Sequence, residues 1–337
     1  MNPIVVFDAV TRIFQVRGST EAGTAPGARI VQALDRVSFA VREGEILGLA
    51  GESGSGKSTI AELMAALQTP TNGRVLFNGE DLAGLRGAGR REFHRRVQMI
   101  FQDPYESINP QHLIRWWVEE PLEIHGIGAR ADRLERVRRA LAQAELRPPD
   151  AFLNRYPHQL SGGQRQRVAI ARAIVLEPSL LVADEPVSML DVSVRAGILR
   201  LLRRLRDELD LTILYISHDL STVRYIADRV AILYQGKLVE IGGTDAVMRT
   251  PLHPYTQALM SAVPTLVVAG PRRPRVLLPA GNGSAATTPS CRFAARCPHA
   301  MNVCRQREPL LVELAPGHAV ACFLHSEAAV PQPGGRA

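Results

Sequence analysis

An apolar strand, Glu45 to Ala50, runs without a break into GESGSGKST at residues 51–59 and then into a helix opening at Ile60. Few folds accept that arrangement. The pattern G-x-x-x-x-G-K-[ST] becomes informative when a strand precedes it and a helix follows. Its glycines let backbone N–H groups close around phosphate oxygens without Cβ clashes. Lys57 offers a mobile point charge to the β- and γ-phosphates, and the Ser58 hydroxyl is placed to ligate Mg²⁺. Composition sharpens the point. Of 40 basic residues only Lys57 and Lys237 are lysine. A chain that otherwise uses Arg keeps Lys where a slender ammonium is needed.

A second phosphate-related device lies at residues 160–191. The turn Ser161-Gly162-Gly163-Gln164 opens a helix with arginines on one face and Val168, Ala169, Ile170, Ala173 and Ile174 on the other. A Gly-rich turn into a helix is a backbone anion site. The apolar strand Ser179 to Ala183 then ends in Asp184 and Glu185. Open α/β sheets bind ligands at the carboxyl ends of their strands. Gln102 follows the strand Val97–Phe101, where it could reach a metal or an attacking water. His218 follows the apolar strand Thr212–Ile216, so it should emerge at the same sheet edge.

The remaining segments read as an α/β chain. Residues 4–16 alternate as a strand or hairpin, and 18–29 form a Gly/Pro-bearing loop. Asp35–Val41 and Glu45–Ala50 read as a strand pair about Glu43-Gly44, and Gly73–Gly79 as a hairpin strand. Three amphipathic segments, Leu113–Ile124, Ala131–Glu145 and Ala151–Tyr156, form a helical insertion that holds Trp116 and Trp117. A long helix spans Val192–Leu209, and Val230–Tyr234 with Leu238–Ile241 form a hairpin. From about residue 264 the composition is that of a linker, and the final VPQPGGRA reads as disordered.

Length and charge narrow the function. A chain of 337 residues holds one large domain or two, and 46% hydrophobic with 22% charged residues is a folded composition. No apolar run reaches the ~18–20 residues needed to span a bilayer. MNPIVVFDAV lacks the pattern of a signal peptide. The expectation is a cytosolic chain whose membrane role is peripheral. The net charge of +7 invites a nucleic-acid reading, but its arginines are scattered as on a solvated surface.

Cys291, Cys297, Cys304 and Cys322 are all the cysteines, spaced C-x₅-C-x₆-C-x₁₇-C. Four in one segment suggest a shared site. The spacing is not that of zinc pairs or of a ferredoxin run, and a cytosolic location argues against disulfides. An iron–sulfur cluster, zinc and unligated thiols all stay open on the residues.

GESGSGKST, Gln102, LSGGQ at 160–164, LLVADEP at 180–186, SMLD at 188–191 and His218 resemble the nucleotide-binding subunit of ATP-binding cassette (ABC) transporters. LSGGQ separates this family from other phosphate-loop ATPases. FQDPYESINP, EPVSMLDVSV, HPYTQAL and the Cys-bearing tail are similar to the ATPases of oligopeptide and dipeptide importers, a group that includes nickel importers. The resemblance implies a P-loop NTPase fold of ABC type. It has a RecA-like core, an antiparallel β-subdomain, a helical subdomain at about 105–165 and a small Cys-containing C-terminal extension. The ATP-binding domain would cover 1–250 and the extension 251–337.

The resemblance also implies roles. Two subunits would pair head to tail with ATP and Mg²⁺ between them. Gly51, Ser53, Gly54, Ser55, Gly56, Lys57, Ser58 and Thr59 would hold the phosphates, with Phe14 stacked on adenine. Ser58, Gln102 and Asp184 would hold Mg²⁺, Glu185 would polarise the attacking water, and His218 would contact the γ-phosphate. Ser161, Gly162, Gly163, Gln164 and Asp191 would act across the dimer. The four cysteines would hold a structural 4Fe-4S cluster. The implied partners are a second related ATPase, two transmembrane permease subunits and an extracytoplasmic solute-binding protein, with no nucleic acid. The chain would work at the cytoplasmic face of the membrane, with peptides as the solute and nickel or another small solute as the alternative. A soluble ABC ATPase acting on nucleic acid or ribosomes is more distant. Met189 stands where the family more often has Ala, with Asp191 retained.

Overall fold

The computed structural model describes residues 3–16, 29–103, 109–262 and 290–325. Residues 18–28 of the loop read at 18–29, the linker from 264 and the VPQPGGRA terminus lie outside the described residues, while Arg29 already belongs to a strand. In chain order the strands are β1 (Pro3–Val16), β2 (Arg29–Arg42), β3 (Ile46–Ala50), β4 (Asn72–Phe77), β5 (Glu80–Asp81) and β6 (Val97–Ile100). They continue as β7 (Leu180–Asp184), β8 (Thr212–Ser217), β9 (Arg229–Tyr234), β10 (Lys237–Gly243), β11 (Val312–Ala315) and β12 (His318–Val320).

Two sheets form. A four-stranded sheet runs β2-β1-β4-β5, antiparallel throughout. An eight-stranded sheet runs β11-β12-β10-β9-β3-β8-β7-β6. Its pairs β9-β3, β3-β8, β8-β7 and β7-β6 are parallel, and those from β9 outward to β11 are antiparallel. β3, β7 and β8 are buried at every residue. Parallel strands covered on both faces carry near-continuous apolar runs, as ILGLA and LLVAD do.

Alternation along each strand feeds two separate cores. Leu47, Leu49, Leu180, Val182, Leu214 and Ile216 pack with Ile60, Leu63 and Met64 of the helix Lys57–Met64 and with Phe7, Val10 and Val41 of the smaller sheet. On the opposite face Ile46, Leu181, Ala183, Ile213 and Tyr215 pack with Ile170, Ile174, Leu201 and Leu205. Those residues come from the helices Gly162–Ile174 and Val192–Leu209. The helices Ile114–Ile124 and Arg130–Gln143 join that core through Trp117, Val118, Val137 and Leu141. The predicted amphipathic insertion is therefore helical, and Trp117 is a core residue while Trp116 is 38% exposed.

One sequence expectation needs correction. β2 and β3 do not pair with each other: β2 pairs with β1, and β3 enters the main sheet between β9 and β8. The turn at Glu43-Gly44 redirects the chain from one sheet to the other. A turn signal between two strands does not fix their partners, and β3 requires cover on both faces. Two strands near the C-terminus also extend the main sheet, because β12 pairs with β10 through Glu240–Val320 and Ile241–Ala319. Among the described residues no helix is long and apolar enough to cross a membrane.

Candidate functional site

β3 ends at Ala50 and the chain turns sharply into the phosphate loop. Gly51 has φ +154°, and a Cβ there would lie 2.2 Å from the Leu233 carbonyl oxygen. Gly56 has φ +106°, and a Cβ would lie 2.7 Å from the Ala33 carbonyl oxygen. Only glycine meets both demands. Lys57 is buried, and its Nζ donates to the carbonyls of Gly51 at 2.9 Å and Glu52 at 2.8 Å. Burial lowers the pKa of its ammonium, and the neighbouring Glu185 and Asp184 carboxylates oppose that shift.

The carboxyl ends of β7, β8 and β6 deliver the remaining polar groups to the same edge. Asp184 is 8% exposed and accepts a hydrogen bond from Ser58. Burial raises its pKa, and the adjacent Glu185 charge adds to that. Glu185 adopts φ +45°, a strained conformation for a residue with a side chain. Its N–H donates to Ile216 O at 3.0 Å, and its carbonyl accepts from Ser188 Oγ at 3.0 Å. Its carboxylate sits between His218 and Gln102, which the sequence placed at the same edge without pairing them to it. Oε1 lies 2.9 Å from His218 Nδ1, and Oε2 accepts from Gln102 Nε2 at 3.4 Å.

Lys57, Gln102, Glu185 and His218 face a cavity of about 920 Å³, whereas Asp184 and Gly51 are not among its lining residues. Ser53, Gly54, Gly56, Lys57, Ser58, Thr59, Gln102, Glu185 and His218 line it, while Ser55 is buried beneath the loop. A hydroxyl, a buried carboxylate and an amide oxygen form an all-oxygen set suited to a hard cation such as Mg²⁺. The wall beyond the loop is made by Ile30, Val31, Gln32, Ala33 and Gln235. Phe14, predicted as the adenine platform, is not among the lining residues. It pairs with Val31 across the ladder, and the Arg12 guanidinium covers its ring at 4.6 Å. Ile30 and Val31 are 66% and 36% exposed. Sequence reading missed them, because a β-branched pair in a strand reads as core until its exposure is seen.

The second device is built as expected but stands apart from this cavity. Ser161 caps the helix Gly162–Ile174, accepting from Gln164 N at 3.3 Å, while Gln164 Oε1 accepts from Ser161 N at 3.0 Å. This reciprocal pair satisfies two terminal N–H groups. A Cβ on Gly163 would lie 2.5 Å from Val194 Cγ1, so this turn seats tightly on the segment that follows Asp191. Asp191 precedes the helix Val192–Leu209 as its cap residue. None of Ser161, Gly162, Gly163, Gln164 or Asp191 lines the cavity.

The cysteines lie near one another: Cys291 N donates to Cys304 O at 2.8 Å, and the Cys291 thiol feels the charges of the other three. Burial pushes the thiols of Cys291 and Cys322 up to about 11 and also raises Cys297. Cys291 and Cys297 pack against the core as small hydrophobes. Among the described residues no group of three or more His, Cys, Asp or Glu is arranged to hold a metal ion. The expected 4Fe-4S cluster therefore finds no support in this arrangement.

Comparison with known proteins agrees with the architecture. Residues 34–188 match the family described as ABC transporter, and residues 239–304 match the oligopeptide/dipeptide transporter C-terminal region. The oligopeptide transport ATP-binding protein AppF of Bacillus subtilis is 46% identical over 299 residues, 88% of this chain and 90% of that protein. A putative peptide import ATP-binding protein of Brucella ovis is 48% identical over 323 residues, 96% and 98% of the two chains. The solved dimer of the ATP-binding cassette MJ0796 in a post-hydrolysis state, bound to ADP and Pi, superposes with a TM-score of 0.62 at 31% identity. It covers 71% of this chain and 98% of that one. The chain thus belongs to the ABC transporter ATP-binding family, and carries the C-terminal region of its oligopeptide and dipeptide transporters.

Proposed function

We propose that this chain is the ATP-hydrolysing subunit that energises a membrane importer of di- or oligopeptides. The observation that carries the reading is the convergence of Glu185, His218 and Gln102 on a cavity walled by the Lys57 loop. The names of the relatives at 46% and 48% identity support the peptide assignment. Phosphoryl transfer needs positioning and charge compensation more than covalent steps, and this site offers both.

In this reading the loop amides and Lys57 bind the phosphates. Lys57 leaves the carbonyls of Gly51 and Glu52 to do so, exchanging neutral acceptors for anionic ones. Ser58 and Asp184, with Gln102 directly or through water, would hold Mg²⁺, which would screen the phosphate charge. Glu185 orients and polarises the attacking water. His218 holds Oε1 of that carboxylate and stands ready to meet the γ-phosphate. Ser161 to Gly163 would serve the ATP of a second, related subunit, since none of them lines this chain's own cavity and their helix N-terminus suits an anion. The two permease subunits would dock near the helical insertion and Gln102, and the solute-binding protein would act through them. The chain would then sit on the cytoplasmic face of the membrane.

The test is affinity purification of the full chain from the membranes of its source cells. Recovery of two membrane subunits with a second ATPase, and loss of labelled dipeptide uptake when the gene is deleted, is the expected result. A soluble ATPase stimulated by nucleic acid would overturn it.

A further inference from the structure

The C-terminal extension reaches the phosphate loop itself. Arg296 grips the Glu52 carboxylate with two hydrogen bonds, Nη1 to Oε2 at 2.9 Å and Nη2 to Oε1 at 3.1 Å. Such a fork fixes geometry as well as charge. The backbone of Glu52 is held too: its N–H donates to the Tyr255 hydroxyl at 2.9 Å, and its carbonyl accepts from Lys57 Nζ at 2.8 Å. Tyr255 belongs to the helix Pro254–Ala262. Two distant segments and the loop's own lysine thus meet on the second residue of the loop.

Arg296 is itself held in place. Its Nη1 lies 3.5 Å from the Tyr234 hydroxyl, and its guanidinium stands 5.8 Å from the Tyr234 ring centroid. Tyr234, Tyr255 and Phe293 pack together with centroids 4.6, 5.2 and 5.5 Å apart. Phe293 is 1% exposed, so it anchors the segment that carries Arg296.

A carboxylate in a loop that must receive a polyanion is electrostatically adverse. Left alone, Glu52 would repel the phosphates and compete with them for Lys57. We propose that Arg296 is a positioning residue for nucleotide binding: it neutralises the Glu52 carboxylate and fixes its direction, so that the extension sets the ATP affinity of the cassette. The inference rests on the ATP-site reading above. It assigns the extension a role in the nucleotide site that the sequence did not suggest.

The pair is partly open to water, with side chains 20% and 41% exposed, so screening limits the effect. Removing Arg296 should weaken binding about three- to tenfold. The experiment measures Mg-ATP affinity by titration calorimetry, and KM and kcat for ATP, on the full chain. Arg296→Ala should raise Kd and KM by that factor and leave kcat within about twofold, the signature of lost ground-state binding. Adding Glu52→Gln to Arg296→Ala should restore the affinity, because the unneutralised charge is gone.

Unchanged affinity in Arg296→Ala, or no recovery in the double variant, overturns the inference. The second outcome marks Arg296 as a packing residue only. If Arg296→Ala does not fold, Arg296→Lys and Arg296→Gln carry the test. Lys should bind ATP nearly as wild type and Gln about threefold more weakly, and equal affinities overturn the inference. A wild-type chain that binds no ATP sinks the ATP-site reading and this inference together. A wild-type chain that binds while the Arg296 variants match it sinks the inference alone.

Discussion

Glu185 and Gly51 show how single residues carry the site. Glu185 holds a left-handed backbone that costs roughly 1–3 kcal/mol, and hydrogen bonds to Ile216 and Ser188 keep it there. That strain aims the carboxylate between His218 and Gln102. Glu185→Gln should retain ATP binding and lower the hydrolysis rate by about 10²–10⁴-fold. Near wild-type turnover in single-turnover assays would remove Glu185 from its role. Gly51 has no room for a side chain, with a backbone carbonyl oxygen 2.2 Å from where Cβ would stand. Gly51→Ala should destabilise the chain by at least about 1–3 kcal/mol and abolish nucleotide protection in thermal unfolding. A variant with wild-type melting and protection would show that the loop can shift at no cost.

Among the elements, the outer strands and the helix after them are tied by a buried polar network. Glu240 on β10 is fully buried and accepts from the N–H groups of Leu252 and His253, both at 2.9 Å. His318 Nε2 on β12 lies 2.8 Å from the same carboxylate, so the extension is fastened to the sheet by a buried pair. His253 Nδ1 accepts from Tyr255 N at 3.0 Å, fixing the start of the helix that supports the phosphate loop. Burial, with a smaller contribution from His325, pushes the His253 pKa from 6.5 down to about 3. Between those values the unfolded chain binds a proton that the folded chain refuses. Stability should therefore fall as pH drops from 6.5 toward 3, by about 1.4 kcal/mol per pH unit. Denaturant titrations at pH 7 and pH 5 should show a loss of about 2 kcal/mol from this group. His253→Asn keeps an acceptor for the Tyr255 N–H and should flatten the slope. An unchanged slope would place the acid sensitivity elsewhere.

For the whole molecule, the two Gly-rich devices do not share one cavity. The cavity gathers Ser53, Gly54 and Gly56 to Thr59 of the loop with Gln102, Glu185 and His218, and Ser161 to Gln164 do not line it. The tight seat of Gly163 on Val194 packs the signature turn against the helix after Asp191, which a short connection joins to β7 and the carboxylates at its end. On the proposed pairing with a second subunit, one chain would hold half of each of two sites. ATPase rate per chain should rise with chain concentration, or on addition of the second ATPase, and should be very low in dilute monomer. A full rate that is independent of concentration would contradict the shared-site arrangement.

Much of this was legible in the residues. The spacing of GESGSGKST after an apolar strand, the capping pair Ser161/Gln164 and the helix Val192–Leu209 are local. Periodicity and turn chemistry dictate them whatever the surroundings. The strand ends carrying Gln102, Asp184, Glu185 and His218 were legible too, because parallel strands deliver their carboxyl ends to one edge. What local pattern does not encode is which strand pairs with which, and which side chain stays exposed. So the partners of β2 and β3, the place of Ile30 and Val31 in a cavity wall that Phe14 does not line, and the grip of Arg296 on Glu52 came only from the fold. Those contacts join residues as many as 244 positions apart. The sequence determined the chemistry of the site, since that lies in short motifs. The tertiary structure decided what holds the motifs in place, because only closure of the sheet brings the extension to the loop.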